Sequence, residues 1–473
     1  MHGHPHGAAG DHHLGVTHHG VLATVEQRAA PHARARLAAE PEAADGLAPR
    51  HAVAHLPRLA VGPVRVNKSN FRHRQKIYDT IQELRTLKSN FFSKYILQIY
   101  LIATKNLSKH LRIEELILEV ETLFPFLLPE KRLIKLDSLK VQKEKDGFEF
   151  DYGIFFNYIL SNKICGNHLI HSMLLPKKES NKFLKEFETK GELNLGTAII
   201  SRKGEVSTVW FNNPRFLHAE DETTIGNVET AVDLALLDNK TKIVILRGSK
   251  IKAGKYAGKH TSCTGINLTH LYNGKITFLW YLVRDLGFIN KIYRGLSFPN
   301  TSISEIDGNT LEKPWIGAVE SFAIGGGCQY LLVTDYIVAE KEAYLTLPAR
   351  KEGIIPGVAN MRLPRFVGDR VARQAIQYER KILCDSDIGY MICDEIVESK
   401  NFDQTLYAVA ERLTNSGVVS ISSNRKSFRV TQEPIDNFRE YMAVYSREQA
   451  HCHFSKALID NLEKFWNAQN RKQ

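Results

Sequence analysis

Between residue 67 and about residue 190, apolar positions recur three and four apart. In IYDTIQELRTLKSNFFSKYILQIYLIATKN, from Ile77, this spacing predicts an amphipathic helix. IEELILEVETLFPFLLPEKRLIKLD, from Ile113, predicts another, stopped by Pro125 and Pro129, which have no N–H to continue it. From Gly196 the pattern changes. GTAIISRKGEVSTVWFNN predicts two short strands around a turn at Lys203-Gly204. NVETAVDLALLDN predicts a helix, KIVILRG a buried parallel strand, AVESFAIGG a strand, CQYLLVTDY a helix and YIVAEKEAYLTLP a strand. Strands alternating with helices imply an α/β core with crossover connections. After about Phe402 the pattern is again helical.

The composition switches abruptly near Val66. Residues 1–66 contain no Lys, Ile, Asn, Ser, Phe or Tyr, and they open on the His-rich MHGHPHGAAGDHHLGVTHHG. Such a stretch could bind metal loosely. It offers little apolar surface to bury, so it reads as a disordered low-complexity leader. The expected divisions are 1–66 for the leader, 67–190 for a helical N-terminal domain, 191–400 for the α/β core and 401–473 for a C-terminal helical region.

Hydrophobic residues make up 43% of the 473 residues, enough for a sizeable globular core. The net charge of +11 suits nucleic acid, an anionic membrane or a polyphosphate ligand. The sequence lacks RNA-recognition aromatics and zinc-finger spacing, so no nucleic-acid partner is expected. No apolar run approaches the roughly 20 residues of a membrane span, and no secretion signal opens the chain. The six cysteines are scattered without a CxxC pair. These features predict a cytoplasmic protein in a reducing compartment.

Two segments carry candidate chemistry. GSKIKAGKYAGKHTSCTGINL, Gly248 to Leu268, fails the P-loop pattern by its glycine spacing and by having His260 where Ser or Thr should stand. What remains is a basic loop whose Lys250, Lys252, Lys255 and Lys259 either meet phosphates or are simply solvated. SFAIGGGCQYLL, from Ser321, puts Gly325-Gly326-Gly327 at a strand-to-helix junction. Glycine there lets a backbone N–H approach a ligand closely, or merely allows tight packing. TGINL and IGGGC follow successive strands, and two backbone donors on one oxygen are what a thioester enolate needs. His451, Cys452 and His453 look like a metal trio, but residues two apart on a helix diverge, so they read as structural.

LRG…SCTGINL, AVESFAIGGGCQYLLVTDYIVAEKEAYLTLPARKEGIIPGVANMRLPRFVG and CDEIVE together resemble the crotonase (enoyl-CoA hydratase/isomerase) superfamily over roughly residues 196 to 400. The resemblance implies an α/β, crotonase-like ββα spiral core with a helical N-terminal domain and C-terminal helices. It implies an oxyanion hole built from the N–H groups of Ile266 and Gly326. It places the adenine end of an acyl-CoA along Thr261, Ser262, Cys263 and Thr264. Family hydratases keep two catalytic glutamates where this chain has Gln329 and Ala349, and neither can act as acid or base.

GGGCQYLL, LTLPARKEGIIPG, CDSDIGYMICDE and the long helical N-terminal region are similar to the metal- and flavin-independent dioxygenase branch of that superfamily. This implies conversion of 3,5-dihydroxyphenylacetyl-CoA and O2 to 3,5-dihydroxyphenylglyoxylate and free CoA, with no metal or other cofactor. Gln329 would then bond a phenol or the bound intermediate without protonating the enolate carbon. Glu220 and Arg284 would contact the substrate, although alone they would read as a surface acid and a helix-face cation. Ala349 and Ile354 would line an O2 pocket, or else pack in the core. The resemblance also implies a homotrimer or homohexamer formed through the C-terminal helices. A thioesterase, an isomerase and a non-catalytic CoA-binding scaffold are the competing readings.

Overall fold

The structure, a computed structural model, describes residues 71–415 and 417–471; the leader expected over 1–66 lies outside them. The N-terminal part is helical. Helix α1 (Phe71–Ala103) is followed by α2 (Ile113–Leu123), α3 (Lys131–Asp137), α4 (Phe150–Ser161), α5 (Lys163–Leu174) and α6 (Lys178–Lys190). The two prolines act as expected: α2 stops before Pro125, and α3 starts after Pro129.

The α/β part opens with β1 (Glu192–Asn194) and a hairpin of β2 (Ala198–Lys203) and β3 (Val206–Phe211); Lys203 pairs with Val206, so the chain turns at Gly204-Glu205, one residue later than expected. Helix α7 (Ile225–Leu237) leads to β4 (Ile243–Gly248). Short helices α8 (Leu268–Tyr272), α9 (Leu279–Leu286) and α10 (Phe288–Arg294) precede β5 (Trp315–Val319) and β6 (Phe322–Ile324). Then come α11 (Gly326–Leu331), β7 (Tyr336–Glu340), β8 (Tyr344–Thr346), α12 (Ala349–Glu352) and α13 (Ala359–Tyr378). Strands β9 (Ile382–Leu383) and β10 (Glu395–Val397) lead into α14 (Phe402–Asn415), α15 (Val418–Gln432), α16 (Ile435–His453) and α17 (Lys456–Trp466).

The large sheet runs β1-β2-β3-β4-β5-β7-β10 and is parallel from β3 onward. A small sheet holds β6, β8 and β9. Side chains of a strand alternate between faces. In β4, Val244 and Leu246 enter the main core, while Ile243 and Ile245 pack with Phe402, Leu406 and Val409 of α14. Burial on both faces is why KIVILRG is apolar without alternation.

Three expected elements differ. AVESFAIGG is not one strand. Ser321 has φ +64 and its N–H is taken by Glu340, so the chain leaves the large sheet after β5 and enters the small one as β6. CQYLLVTDY is helical only to Leu331, because the Thr334 hydroxyl takes the Leu331 carbonyl at 3.0 Å and the Asp335 N–H returns to Trp315 of β5. The helix also starts earlier, at Gly326. YIVAEKEAYLTLP is two strands, one in each sheet. The N-terminal and C-terminal helices share one core: Phe155 and Ile159 of α4 lie in the same cluster as Phe438, Met442 and Ala450 of α16.

Candidate active site

The loop after β4 and the turn after β6 meet at glycines. Gly265 has φ +76, and a β-carbon there would stand 2.7 Å from the Gly326 nitrogen. A β-carbon on Gly326 would stand 2.2 Å from Glu220 Oε2 and 2.7 Å from Arg284 Nη2. Only glycine fits either place. Glu220 fixes the first loop through its backbone, donating to the Gly265 carbonyl at 2.7 Å and accepting from the Asn267 N–H at 2.7 Å. Ile324 holds the second by donating to the Cys263 carbonyl at 3.1 Å. Among the described residues, the N–H groups of Ile266 and Gly326 donate to no protein acceptor. Two unspent donors therefore border one pocket.

Arg284 organises the polar wall. It comes from the inward face of α9, which also carries Trp280 and Tyr281. Its Nε and Nη2 donate to the two Glu220 oxygens at 2.8 and 3.0 Å, and its Nη1 donates to Asp285 at 2.8 Å and to Gln329 Oε1 at 2.5 Å. The guanidinium carbon lies 5.2 Å from the Tyr330 ring centre and 5.8 Å from those of Trp280 and Phe288. Burial opposes its charge, but Glu220, Tyr330 and Asp285 outweigh that cost and hold its pKa well above the ordinary value. Burial, then Cys263 and Glu220, push the Tyr330 phenol up as well, so it stays protonated.

The same pocket contains Glu352, an acid the residue pattern did not single out. It is 8% exposed, and both carboxylate oxygens lie 3.8 Å from where a β-carbon on Gly325 would stand. Among the described residues it has neither an ion-pair nor a hydrogen-bond partner for its side chain. Burial alone pushes its carboxyl up to about 7. A signal was available: Glu352 is three residues after Ala349 in α12, and residues three apart share a helix face.

Glu220, Ile266, Arg284, Gly326, Gln329, Ala349 and Ile354 all line this pocket, with Glu352. It holds about 400 Å³ not filled by atoms, part of it open to solvent. Thr261 to Thr264 do not line it. Ser262 Oγ donates to the Ala318 carbonyl at 2.9 Å, Cys263 Sγ accepts from the Gly265 N–H at 3.1 Å, and Thr264 Oγ1 donates to the Leu217 carbonyl at 3.1 Å. These side chains are turned into the protein, so a CoA contact along this segment would use its backbone. The four lysines of the basic loop are exposed. His453 is fully buried, 3.4 Å from the Tyr281 hydroxyl, whereas His451 is exposed and packs edge-on against Phe150. The two histidines do not converge. No group of three or more metal-ligating side chains occurs among the described residues, and no described helix is long and apolar enough to cross a membrane.

Residues 306–465 match the enoyl-CoA hydratase/isomerase family model. The chain is 36% identical over 378 residues to the (3,5-dihydroxyphenyl)acetyl-CoA 1,2-dioxygenase of Amycolatopsis orientalis, covering 80% of this chain and 86% of that one. It is 25% identical over 237 residues to the short-chain-enoyl-CoA hydratase of Clostridium acetobutylicum, covering 50% of this chain and 82% of that one. Among solved structures, an enoyl-CoA hydratase from Mycobacterium avium subsp. paratuberculosis aligns with a TM-score of 0.47 and 16% identity, over 59% of this chain and 99% of that one.

Proposed function

This chain belongs to the enoyl-CoA hydratase/isomerase (crotonase) family, and from that premise we propose that it is a metal- and flavin-independent dioxygenase of an arylacetyl-CoA. The substrate that fits the relative's reaction is 3,5-dihydroxyphenylacetyl-CoA. The products are 3,5-dihydroxyphenylglyoxylate and free CoA. One observation carries this reading: the two free donors of Ile266 and Gly326 remain, while both hydratase acid positions are occupied by Gln329 and Ala349. A site that stabilises an enolate yet offers no acid at either position disfavours water addition.

The chemistry follows from the substrate. A benzylic C–H beside a thioester loses its proton to give an enolate, whose charge the two N–H groups receive. The electron-rich carbon reduces O2 and forms a C–O bond. The resulting peroxide attacks the thioester carbonyl and expels CoA thiolate. O–O cleavage with loss of the second α-proton leaves the α-keto acid. Arg284 bears on this as a fixed cation beside the pocket, and the Gln329 amide group is left to bond a phenol. Ala349 and Ile354 supply apolar wall for O2.

The test is to supply 3,5-dihydroxyphenylacetyl-CoA to metal-stripped protein and follow O2 uptake with CoA release. Equal uptake and release support the proposal. Release without uptake identifies a thioesterase. Bound thioester with no turnover identifies a CoA-binding scaffold.

A further inference from the structure

We propose that Glu352 is the base that takes the α-proton of the bound acyl thioester. The proposal rests on the acyl-CoA reading above and supplies the group that Gln329 and Ala349 cannot provide. Three carboxylates line the pocket: Glu220, Asp285 and Glu352. Glu220 is held at both oxygens by Arg284, and Asp285 is bound by Arg284 at 2.8 Å. To take a proton, either of these carboxylates would have to give up a guanidinium hydrogen bond inside the protein. Among the described residues Glu352 has no such partner, and it lies against Gly325, next to the Gly326 donor. With the thioester oxygen on Ile266 and Gly326, the α-carbon two bonds away is brought to this end of the pocket. The apolar surroundings also keep the carboxyl near neutrality, where a base can both take and return a proton.

The step balances. The Cα–H bond breaks, and its electron pair becomes the enolate C=C. The negative charge moves to the thioester oxygen. The proton passes to a Glu352 oxygen, giving a neutral acid, which can later return it to the departing CoA thiolate. The titratable groups around Glu352 are Tyr281 of α9, Cys328 of α11, Tyr445 of α16 and the Arg284–Glu220–Asp285 group. Burial pushes the Cys328 thiol up to about 12 and the Tyr281 phenol up as well, so both stay neutral as Glu352 titrates.

The experiment is anaerobic wash-out of deuterium from α-deuterated 3,5-dihydroxyphenylacetyl-CoA, read by mass spectrometry. The wild-type protein should wash out label, with a rate that rises with pH through about 7 and then levels. Glu352→Gln should slow wash-out by roughly 10²- to 10⁴-fold with unchanged thioester affinity. Wash-out at the wild-type rate in Glu352→Gln overturns the proposal. Glu352→Asp keeps a carboxylate and should retain partial exchange with a moved pH midpoint; an unmoved midpoint also overturns it. Wild-type wash-out without O2 uptake in air sinks the dioxygenase reading and leaves the base standing. O2 uptake undiminished in Glu352→Gln sinks the base and leaves the dioxygenase standing.

Discussion

Arg284 Nη1 lies 2.5 Å from Gln329 Oε1, and this contact fixes how the amide faces. A guanidinium only donates, so the Gln329 carbonyl must turn to it and the NH2 group is left for the pocket. Replacing Gln329 with Glu would therefore not restore a hydratase. The new carboxylate would sit against Arg284, which would hold it ionised beside Glu220. Gln329→Glu should show no hydration of crotonyl-CoA in an ultraviolet assay. It should also lose up to about tenfold in O2 uptake, the scale of the one neutral hydrogen bond that the lost NH2 group would give. Measurable hydration would show that the acid is free to protonate substrate.

Gly326 leaves no room for a side chain. In Gly326→Ala the β-carbon would be forced to 2.2 Å from Glu220 Oε2, so the Arg284–Glu220 pair or the hole must shift. Turnover should fall roughly 10²- to 10³-fold, the usual loss when an oxyanion donor is misplaced. Stopped-flow CoA release under saturating thioester measures it. Near-wild-type rates would mean the Gly326 N–H is not a donor to the reacting oxygen.

Ala349 is buried at the pocket wall. Ala349→Leu adds apolar bulk where O2 is proposed to reside, while leaving the hole and Glu352 in place. O2 uptake should drop about tenfold for each 1.4 kcal/mol of lost fit, with anaerobic deuterium wash-out nearly unchanged. Equal loss in both assays would place the added bulk on the aryl group instead.

Glu352 also makes a prediction about stability. Its folded carboxyl is raised from 4.5 to about 7, so the folded state holds this proton more tightly than the unfolded state. Its contribution is greatest below pH 4.5, declines as pH rises to about 7 and is constant above. Glu352→Gln removes a buried charge, so it should gain at most roughly 3 kcal/mol over wild type at pH 8 and little at pH 4.5. Denaturant melts of both proteins at the two pH values test this. A variant more stable and less active would fit an acid kept for chemistry rather than for folding.

The local patterns determined much of this protein. A doubly apolar KIVILRG had to be an inner strand, and a turn beside Gly204 had to close a hairpin, because both depend on neighbours in the chain. The glycines of TGINL and IGGGC, and the absence of an acid at positions 329 and 349, were legible because chemistry there is set by residue type. Where AVESFAIGG breaks at Ser321 was not legible, since the partner that takes its N–H, Glu340, is on another strand. Only the fold brought Glu220 to Arg284, 64 residues away, and so turned two surface-looking charges into one buried pair. Only the fold left Glu352 buried without a partner among the described residues. Pairing and desolvation depend on what arrives from distant parts of the chain, and they decide which of three pocket carboxylates is free to take a proton.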